Sequence, residues 1–317
     1  MDTTVTRMAP GTGMDAPTHE GWAMTRHRAD AGPAREVDLL FLHGMSAGAW
    51  VWPDRWMARF TGAGFDCWSM TLPGRRGGAT AGSDPAALDR VIAQALAGGD
   101  LTAALDALAR ALPGASLLDG PTLDDFTDAL EEALAEAGRP CVVVAHSLGG
   151  AVAQNLMRRG KAPEGTVLMC SVPPYGTWRA SAEMALLNPD LWHTLAMFSV
   201  FGAAVVDPLI LRNNFFPSGV RDADFARLLT NLRDESLAAT AQALGFPPFA
   251  PFPAIRPEVL VIGGGRDRII PPTDTLMTGF YHGGIAQFLP DAGHMMMYDD
   301  VDGAASDMIL TWLDRFA

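Results

Sequence analysis

Residues 141–150 of this chain read CVVVAHSLGG, and this stretch decides the fold class. Residues 141–145 form an apolar, β-branched run with the length of a buried strand. The pair His146-Ser147 follows at once, and Leu148-Gly149-Gly150 opens a segment with helical spacing that continues to Arg159. The stretch therefore predicts a strand, a sharp turn that carries a serine, and a helix.

Ser147, the serine on this turn, is the first candidate for chemistry. A nucleophile on a tight strand-to-helix turn needs small residues two positions to either side, because the backbone there is crowded. Such a turn projects the serine Oγ outward at the positive end of the following helix. Ala145 and Gly149 occupy the two positions, so Ala145 departs from the preferred G-x-S-x-G but keeps a small side chain. The alternative is that Ser147 only caps the helix.

The same alternation of strands and helices extends from this stretch in both directions. Apolar and β-branched runs predict further strands at 22–27, 37–42, 65–72, 167–170, 259–262 and 286–289. Helical spacing predicts helices at 50–60, 126–137, 273–280 and 304–316, and two short helices within 84–112. Alternation of this kind predicts an α/β fold with a mostly parallel sheet and helices on both of its faces.

The chain divides into three parts by pattern. Residues 1–17 are polar and contain Gly and Pro, which predicts a flexible N-terminal tail. Residues 18–172 and 254–317 carry the strand–helix alternation and form the predicted core. Residues 173–253 are helical in pattern, rich in Phe, Leu, Met and Trp, and interrupted by Pro. We interpret this block as a helical cap over the carboxyl edge of the sheet.

Two further strand ends carry an acid and a histidine. Asp267 follows the predicted strand at 259–262, and His294 follows the one at 286–289. In a parallel sheet the reactive groups gather beyond the carboxyl ends of the strands. A neutral imidazole can take the proton of a serine when a carboxylate fixes its tautomer. We therefore predict Ser147 as nucleophile, His294 as base and Asp267 as the orienting acid. His146 is the competing base, but a side chain beside a tight turn is expected to point away from the nucleophile.

A fourth strand end, His43-Gly44-Met45, follows the predicted strand at 37–42. Acyl transfer needs two backbone N–H donors aimed at the developing oxyanion. We predict the amides of Met45 and Leu148 for this oxyanion hole, and an ordinary strand-to-loop turn is the alternative. The candidate substrate contacts flank these groups; they are His43, Gly44, His146 and Met295.

Together these motifs resemble the α/β-hydrolase superfamily, and they cover nearly the whole chain in the order typical of that family. The resemblance implies an eight-stranded sheet, a helical cap inserted after the sixth strand, the triad Ser147–His294–Asp267 and the oxyanion hole of Met45 and Leu148. It is closest to single-domain, esterase-like bacterial members. Two departures are Ala145 and the helical stretch at 84–112, which lengthens a connection that is often short in the family.

The candidate site is flanked by apolar residues. Either they line a pocket for a hydrophobic acyl or aryl group, or they form the core between cap and sheet. They are Met45, Trp50, Met295, Met296 and Met297 in the core, and Phe198, Phe201, Phe215, Phe216, Phe246 and Phe249 in the cap.

The leading functional hypothesis is hydrolysis of a carboxylic ester, lactone or thioester of a hydrophobic small molecule, through an acyl-enzyme on Ser147. Hydrolysis of a C–C bond or an amide in the same fold is an alternative, because fold and triad do not fix the bond that is cleaved. A cofactor-free acyltransferase or biosynthetic enzyme, or a ligand sensor with slow turnover, is an alternative of another class.

Composition excludes several other classes. The formal net charge of −13 argues against a nucleic-acid partner. No apolar run approaches the roughly 20 residues that cross a bilayer. The single lysine, Lys161, disfavours Schiff-base chemistry, and the absence of H-E-x-x-H and of paired C-x-x-C motifs leaves no metal and no cofactor to predict. Cys67, Cys141 and Cys170 lie in apolar runs, which predicts buried free thiols and a cytoplasmic protein. The oligomeric state is not indicated.

Overall fold

The structure is a computed structural model that describes residues 4–7, 21–30, 35–74, 120–250, 258–299 and 303–316. The predicted helical stretch at 84–112 lies outside the described residues. The described chain forms one sheet of eight strands. In chain order they are β1 Thr4–Arg7, β2 Ala23–His27, β3 Asp38–Leu42, β4 Cys67–Thr71, β5 Cys141–His146, β6 Gly165–Met169, β7 Val259–Gly264 and β8 Gln287–Leu289.

The strand order across the sheet is β1-β2-β4-β3-β5-β6-β7-β8. The pairs β1–β2 and β2–β4 are antiparallel, and all the other pairs are parallel. The mostly parallel sheet is therefore confirmed. Because β5 lies between β3 and β6, the residue that follows it stands near the middle of the carboxyl edge.

The first strand lies inside the segment 1–17, which the sequence predicts to be a tail. Thr4 of β1 is opposite Arg26 of β2, and Arg7 is opposite Ala23. β1 is short, and its Thr-Val-Thr run is typical of strands because β-branched residues fit a pleated surface. The rest of that segment lies outside the described residues.

Eleven α-helices are found in the described residues. Those of the core are α1 Asp54–Gly62, α2 Leu123–Ala137, α3 Leu148–Arg158, α9 Pro272–Tyr281, α10 Met296–Asp299 and α11 Ala304–Leu313. Between β6 and β7 lie α4 Trp178–Leu187, α5 Pro189–Phe201, α6 Pro208–Phe215, α7 Asp222–Asn231 and α8 Leu237–Leu244. The helical insertion after the sixth strand is therefore present, as predicted.

Two local predictions illustrate how the sequence sets the helix starts. The predicted helix at 50–60 is divided into a short 3-10 turn, Ala49–Val51, and α1, because Pro53 has an extended backbone and precedes the first turn of α1. At the start of α2, the Thr122 side chain accepts from the amide of Asp125, and the Asp125 carboxylate accepts from the amide of Thr122. This capping box appears as its spacing predicts.

The core lies on both faces of the sheet, and β3 shows why. Every residue of β3 is buried. Leu39 and Phe41 pack on the face that carries α1 and α11, while Leu40 and Leu42 pack on the face that carries α2 and α3.

The three cysteines are buried and free, as predicted. Among the described residues, no helix is both long and apolar enough to span a membrane.

Candidate active site

Ser147 lies on the turn between β5 and α3, with φ 52° and ψ −117°. This conformation is costly for a residue with a side chain, by about 1–3 kcal/mol, and it persists only where the surroundings hold it. The Ser147 amide donates to the carbonyl of Met169 at 3.0 Å, and its carbonyl accepts from the amides of Gly150 and Val172 at 2.9 and 3.1 Å. The strained turn is thus fixed from both sides.

Close approaches explain the small residues around the turn. A Cβ on Gly149 would lie 2.5 Å from the carbonyl oxygen of His43, and one on Gly44 would lie 2.8 Å from the Cβ of Ser147. Both distances are too short for a side chain. In the described structure the side chain of Ser147 caps none of the amides of α3, so the alternative role as a helix N-cap is not found.

The structure brings the three predicted triad residues together. The Nδ1 of His294 lies 2.9 Å from Oδ2 of Asp267, and its Nε2 lies 3.0 Å from Oγ of Ser147. An ionised carboxylate only accepts hydrogen bonds, so Nδ1–H donates to Asp267. Nε2 is then free of a proton and accepts from the Ser147 hydroxyl. All three side chains are buried.

The Asp267 carboxylate is held in its charged form. Burial raises the pKa of this carboxyl, but the charge and hydrogen bond of His294 and two backbone amides lower it by more, so that its pKa lies below the ordinary value. The amides of Ile269 and Ile270 donate to its Oδ1 at 2.8 and 3.0 Å. The hydrogen bond from His294 and both amide bonds therefore fix which oxygen faces His294.

The two predicted oxyanion donors, the backbone amides of Met45 and Leu148, both lie beside Ser147. Met45 follows the glycine that packs against Ser147, and it lines the cavity beside Ser147. Leu148 is the first residue of α3, where amides have no partner within the helix. Among the described residues, no hydrogen-bond acceptor is found for the amide of Met45 or of Leu148. Both amides are thus available to an oxygen held above Ser147.

Of the four predicted substrate contacts, three line the cavity and one does not. Gly44, His146 and Met295 line it. His43 is fully buried; its Nδ1–H donates to the carbonyl of Gly44 at 2.7 Å, and its Nε2 accepts from the amide of Leu72 at 3.0 Å. His43 therefore holds the backbone turn below the site, and it is not among the described residues that line the cavity.

His146 is placed differently from the expectation that it points away. Its ring centroid lies 4.8 Å from that of His294, and its Nε2–H donates to the backbone carbonyl of His294 at 2.9 Å. Burial, together with the nearby charge of His294, lowers the pKa of the His146 imidazole to about 3. A ring that stays neutral and donates to this carbonyl holds the loop of His294; it is not hydrogen-bonded to Ser147.

The His146 pKa gives the protein a pH-dependent stability. In the unfolded chain this imidazole binds a proton below its ordinary pKa of 6.5, whereas in the folded chain it does so only near pH 3. Its stabilising contribution is complete above pH 6.5 and is lost as the pH falls toward 3. Between pH 7 and 4.5 the loss amounts to about 2–3 kcal/mol.

The variant His146→Gln retains a donor for the His294 carbonyl but cannot titrate. We expect its free energy of unfolding in urea to fall less than that of the wild type between pH 7 and 4.5, by about 2–3 kcal/mol. Equal losses in the two proteins would contradict this assignment.

A small cavity of about 80 Å³ opens onto Ser147 and His294. No carboxylate, lysine or arginine is found among its described lining residues. The core contributes Gly44, Met45, Ala47, Trp50, Val51, His146, Ser147, Ile269, His294 and Met295, and the insertion contributes Leu195, Phe198, Leu211, Phe215, Phe216, Leu228 and Leu232.

The expected apolar lining is partly correct. Met45, Trp50, Met295, Phe198, Phe215 and Phe216 line the cavity. Met296 and Met297 are buried in the core, Phe249 packs on the opposite core cluster, and Phe246 is 73% exposed. The four lining leucines were missed, although Leu228 and Leu232 have the i, i+4 spacing of one helix face.

Three side chains near the site carry potential ligands for a metal ion. Cys170, Asp267 and His294 have potential ligand atoms within 4.8 Å of one another. However, Asp267 already accepts hydrogen bonds from two amides and from His294, and both ring nitrogens of His294 are engaged. A bound ion would break these hydrogen bonds, so the donor set fits a proton-transfer chain better than a metal site.

The sheet order and the serine-bearing turn define an α/β-hydrolase fold. The model of the alpha/beta hydrolase family matches residues 39–306, so this chain belongs to that family. No curated protein matches the chain in sequence.

Several solved structures share the fold. A thermophilic esterase from Thermogutta terrifontis is 15% identical with a TM-score of 0.58, and the alignment covers 93% of this chain and 94% of the esterase. The N-acyl homoserine lactonase AidH, solved with N-butanoyl homoserine, is 15% identical with a TM-score of 0.60, over 99% and 97% of the two chains. A bromoperoxidase from Bacillus anthracis is 14% identical with a TM-score of 0.58, over 92% and 96%. At these identities the likeness concerns the fold.

Proposed function

We propose that this α/β hydrolase cleaves a carboxylic ester, or a lactone or thioester, of an uncharged hydrophobic molecule through an acyl-enzyme on Ser147. The observation that carries the proposal is the continuous hydrogen-bonded chain from Ser147 through His294 to Asp267, at the wall of an apolar cavity. A serine hydroxyl is a weak nucleophile until an adjacent base takes its proton.

In the first step, Ser147 Oγ attacks the acyl carbon while its proton moves to Nε2 of His294. Asp267 stabilises the imidazolium that forms and stays ionised throughout. The carbonyl oxygen becomes an oxyanion, which the amides of Met45 and Leu148 stabilise. The bond from the acyl carbon to the leaving group then breaks, and His294 donates its proton to the departing oxygen of an ester or lactone, or to the departing sulfur of a thioester.

In the second step, water attacks the acyl carbon of the ester on Ser147. His294 removes a proton from the water, the bond from the acyl carbon to Ser147 Oγ breaks, and the proton returns to Oγ. The products are the carboxylic acid and the free enzyme.

We also propose that residues 173–253 act as the cap of this site. Seven residues of this block line the cavity, among them Leu195, Phe198 and Leu228. The apolar wall that they form supports a hydrophobic acyl group, because each buried methylene contributes about 0.8 kcal/mol.

The size of the cavity predicts a preference for short acyl chains. A cavity of about 80 Å³ is smaller than the roughly 150 Å³ engineered cavity that binds benzene. We therefore expect kcat/KM for p-nitrophenyl acetate or butyrate to exceed that for the octanoate by at least about tenfold, since a methylene that does not fit forfeits its transfer energy. Initial rates of p-nitrophenol release across the series measure this preference.

The variant Phe198→Ala serves as the size control. Phe198 is a buried residue of the insertion in the cavity wall, and among the described residues no ring contact or hydrogen bond joins it to the triad. We expect it to move the preference toward longer acyl chains. Wild-type rates that rise from acetate to octanoate would contradict the size argument, and no turnover on any ester would remove support for the ester hypothesis.

A further inference from the structure

The turn that carries the Met45 amide is held by the cap. Ser46, the next residue, has a positive φ of 58°, a backbone conformation that side chains rarely adopt. Its hydroxyl is buried and has no hydrogen-bond partner, so the side chain does not stabilise this conformation. The turn therefore needs support from outside itself.

That support comes from the loop between α7 and α8. The Glu235 carboxylate accepts from the amide of Ser46 at 2.7 Å, through Oε2. The amide of Arg233 donates to the carbonyl of Ser46 at 3.0 Å. The hydroxyl of Thr240, in α8, lies 3.7 Å from the sulfur of Met45. One stretch of the insertion thus contacts both Met45 and Ser46.

Glu235 is itself held in place. Its Oε1 accepts from the amide of Ser236 at 2.9 Å. The hydroxyl of Ser236 donates to the carbonyl of Pro121 and accepts from the amide of Ala239. The Glu235 carboxylate is therefore anchored at the start of α8, which is itself hydrogen-bonded to the segment before α2, and its Oε2 accepts from the Ser46 amide.

We propose that Glu235 is a positioning residue that sets the direction of the Met45 amide, so that the oxyanion hole is complete only while the cap is docked on the 44–47 turn. This inference rests on the proposed function, because it requires an oxyanion at Met45. The hydrogen bond at the Ser46 amide fixes the peptide plane between Met45 and Ser46. That plane is joined at the Cα of Met45 to the preceding plane, which carries the Met45 N–H, so rotation of the first plane alters the direction of this N–H. Glu235 is not among the described residues that line the cavity, so we expect it to act through the turn.

An effect of the Glu235 charge on the rate would have the opposite sign to the effect of its geometry. A carboxylate near the site repels a developing oxyanion. If Glu235 acted by its charge, its removal would raise the rate; if it acts by holding the turn, its removal lowers the rate. Glu235→Gln removes the charge and keeps one oxygen acceptor for the Ser46 amide, while the bond from the Ser236 amide is lost, so this variant distinguishes the two effects.

The test compares Glu235→Ala, Glu235→Gln and Asp234→Ala with the wild type. Asp234 is the matched control, because this neighbouring carboxylate accepts from the amide of Ala203 within the cap, and among the described residues no hydrogen bond joins its side chain to the 44–47 turn. The measurements are kcat and KM for p-nitrophenyl butyrate, the inhibition constant of n-butylboronic acid, which forms a tetrahedral adduct with a serine, and labelling of Ser147 by a fluorophosphonate.

We expect Glu235→Ala to lower kcat by roughly 10- to 100-fold, because removal of a whole oxyanion donor costs about 10²- to 10³-fold and a misdirected amide retains part of that. KM should change by less than about threefold, and the boronic acid should bind more weakly by about the same factor as kcat falls. Glu235→Gln and Asp234→Ala should stay within about threefold of the wild-type kcat.

The inference would be overturned if Glu235→Ala kept the wild-type kcat, or if Glu235→Ala and Asp234→Ala lost activity equally. In either case, ester turnover by the wild type would leave the proposed function standing. A wild type that neither turns over the ester nor reacts with the fluorophosphonate at Ser147 would overturn the proposed function, and this inference with it.

Discussion

Replacement of Ser147 by alanine is expected to lower kcat for p-nitrophenyl butyrate by roughly 10⁵- to 10⁶-fold. The hydroxyl of Ser147 is the group that His294 Nε2 contacts at 3.0 Å, and without it no acyl-enzyme can form. Water bound near His294 and the oxyanion hole could retain a small part of the rate. Rates of p-nitrophenol release, with active sites counted by a fluorophosphonate, measure the loss.

The fold should tolerate this substitution. The variant loses one buried hydrogen bond, which contributes about 1 kcal/mol, and the remaining turn is held by backbone bonds. Ser69→Ala is the matched control, because Ser69 is also a buried serine whose hydroxyl bonds to a histidine, His27, but it lies on β4. We expect Ser69→Ala to keep the wild-type kcat. Ester turnover by Ser147→Ala within about tenfold of the wild type would refute Ser147 as the nucleophile.

Asp267→Asn is expected to lower kcat by roughly 10⁴-fold. The two amides of Ile269 and Ile270 require an oxygen at Oδ1, so the asparagine must turn its NH₂ toward His294. Nδ1 of His294 then accepts a hydrogen bond, and the ring proton moves to Nε2, where it faces Ser147. The base is present in the correct place but in the wrong tautomer.

The comparison for this variant is Asp38→Asn. Asp38 is also a fully buried acid, bonded to Trp68 and Arg139, but it lies at the start of β3, away from the carboxyl edge. We expect Asp38→Asn to lower the melting temperature and leave kcat within about threefold, since removal of one partner of a buried pair costs stability. The pH profile of kcat from 5 to 9 completes the experiment. An unchanged kcat in Asp267→Asn would show that Asp267 does not orient His294.

The sequence alone predicts the fold class because its signals are local. The β-branched run at 141–145, the small residues around Ser147 and the helical spacing after it each reflect backbone geometry within a few residues. Asp267 and His294 were predicted because each follows a strand, and parallel strands bring their carboxyl ends to one edge. The short edge strand β1 was missed, since four residues carry little periodicity.

The contacts between distant elements were not predictable from the sequence. The hydrogen bond from His146 to the carbonyl of His294 joins residues 148 positions apart, and that from Ser46 to Glu235 joins residues 189 apart. No local pattern marks a side chain for such a partner. Likewise, Phe198 lines the cavity while Phe246, in the same insertion, is exposed, because the packing of the insertion helices on the sheet determines which face of each helix is covered. Local chain geometry thus places Ser147 on its turn, and the packing of elements far apart in the chain brings His294, Asp267 and the helical insertion to it.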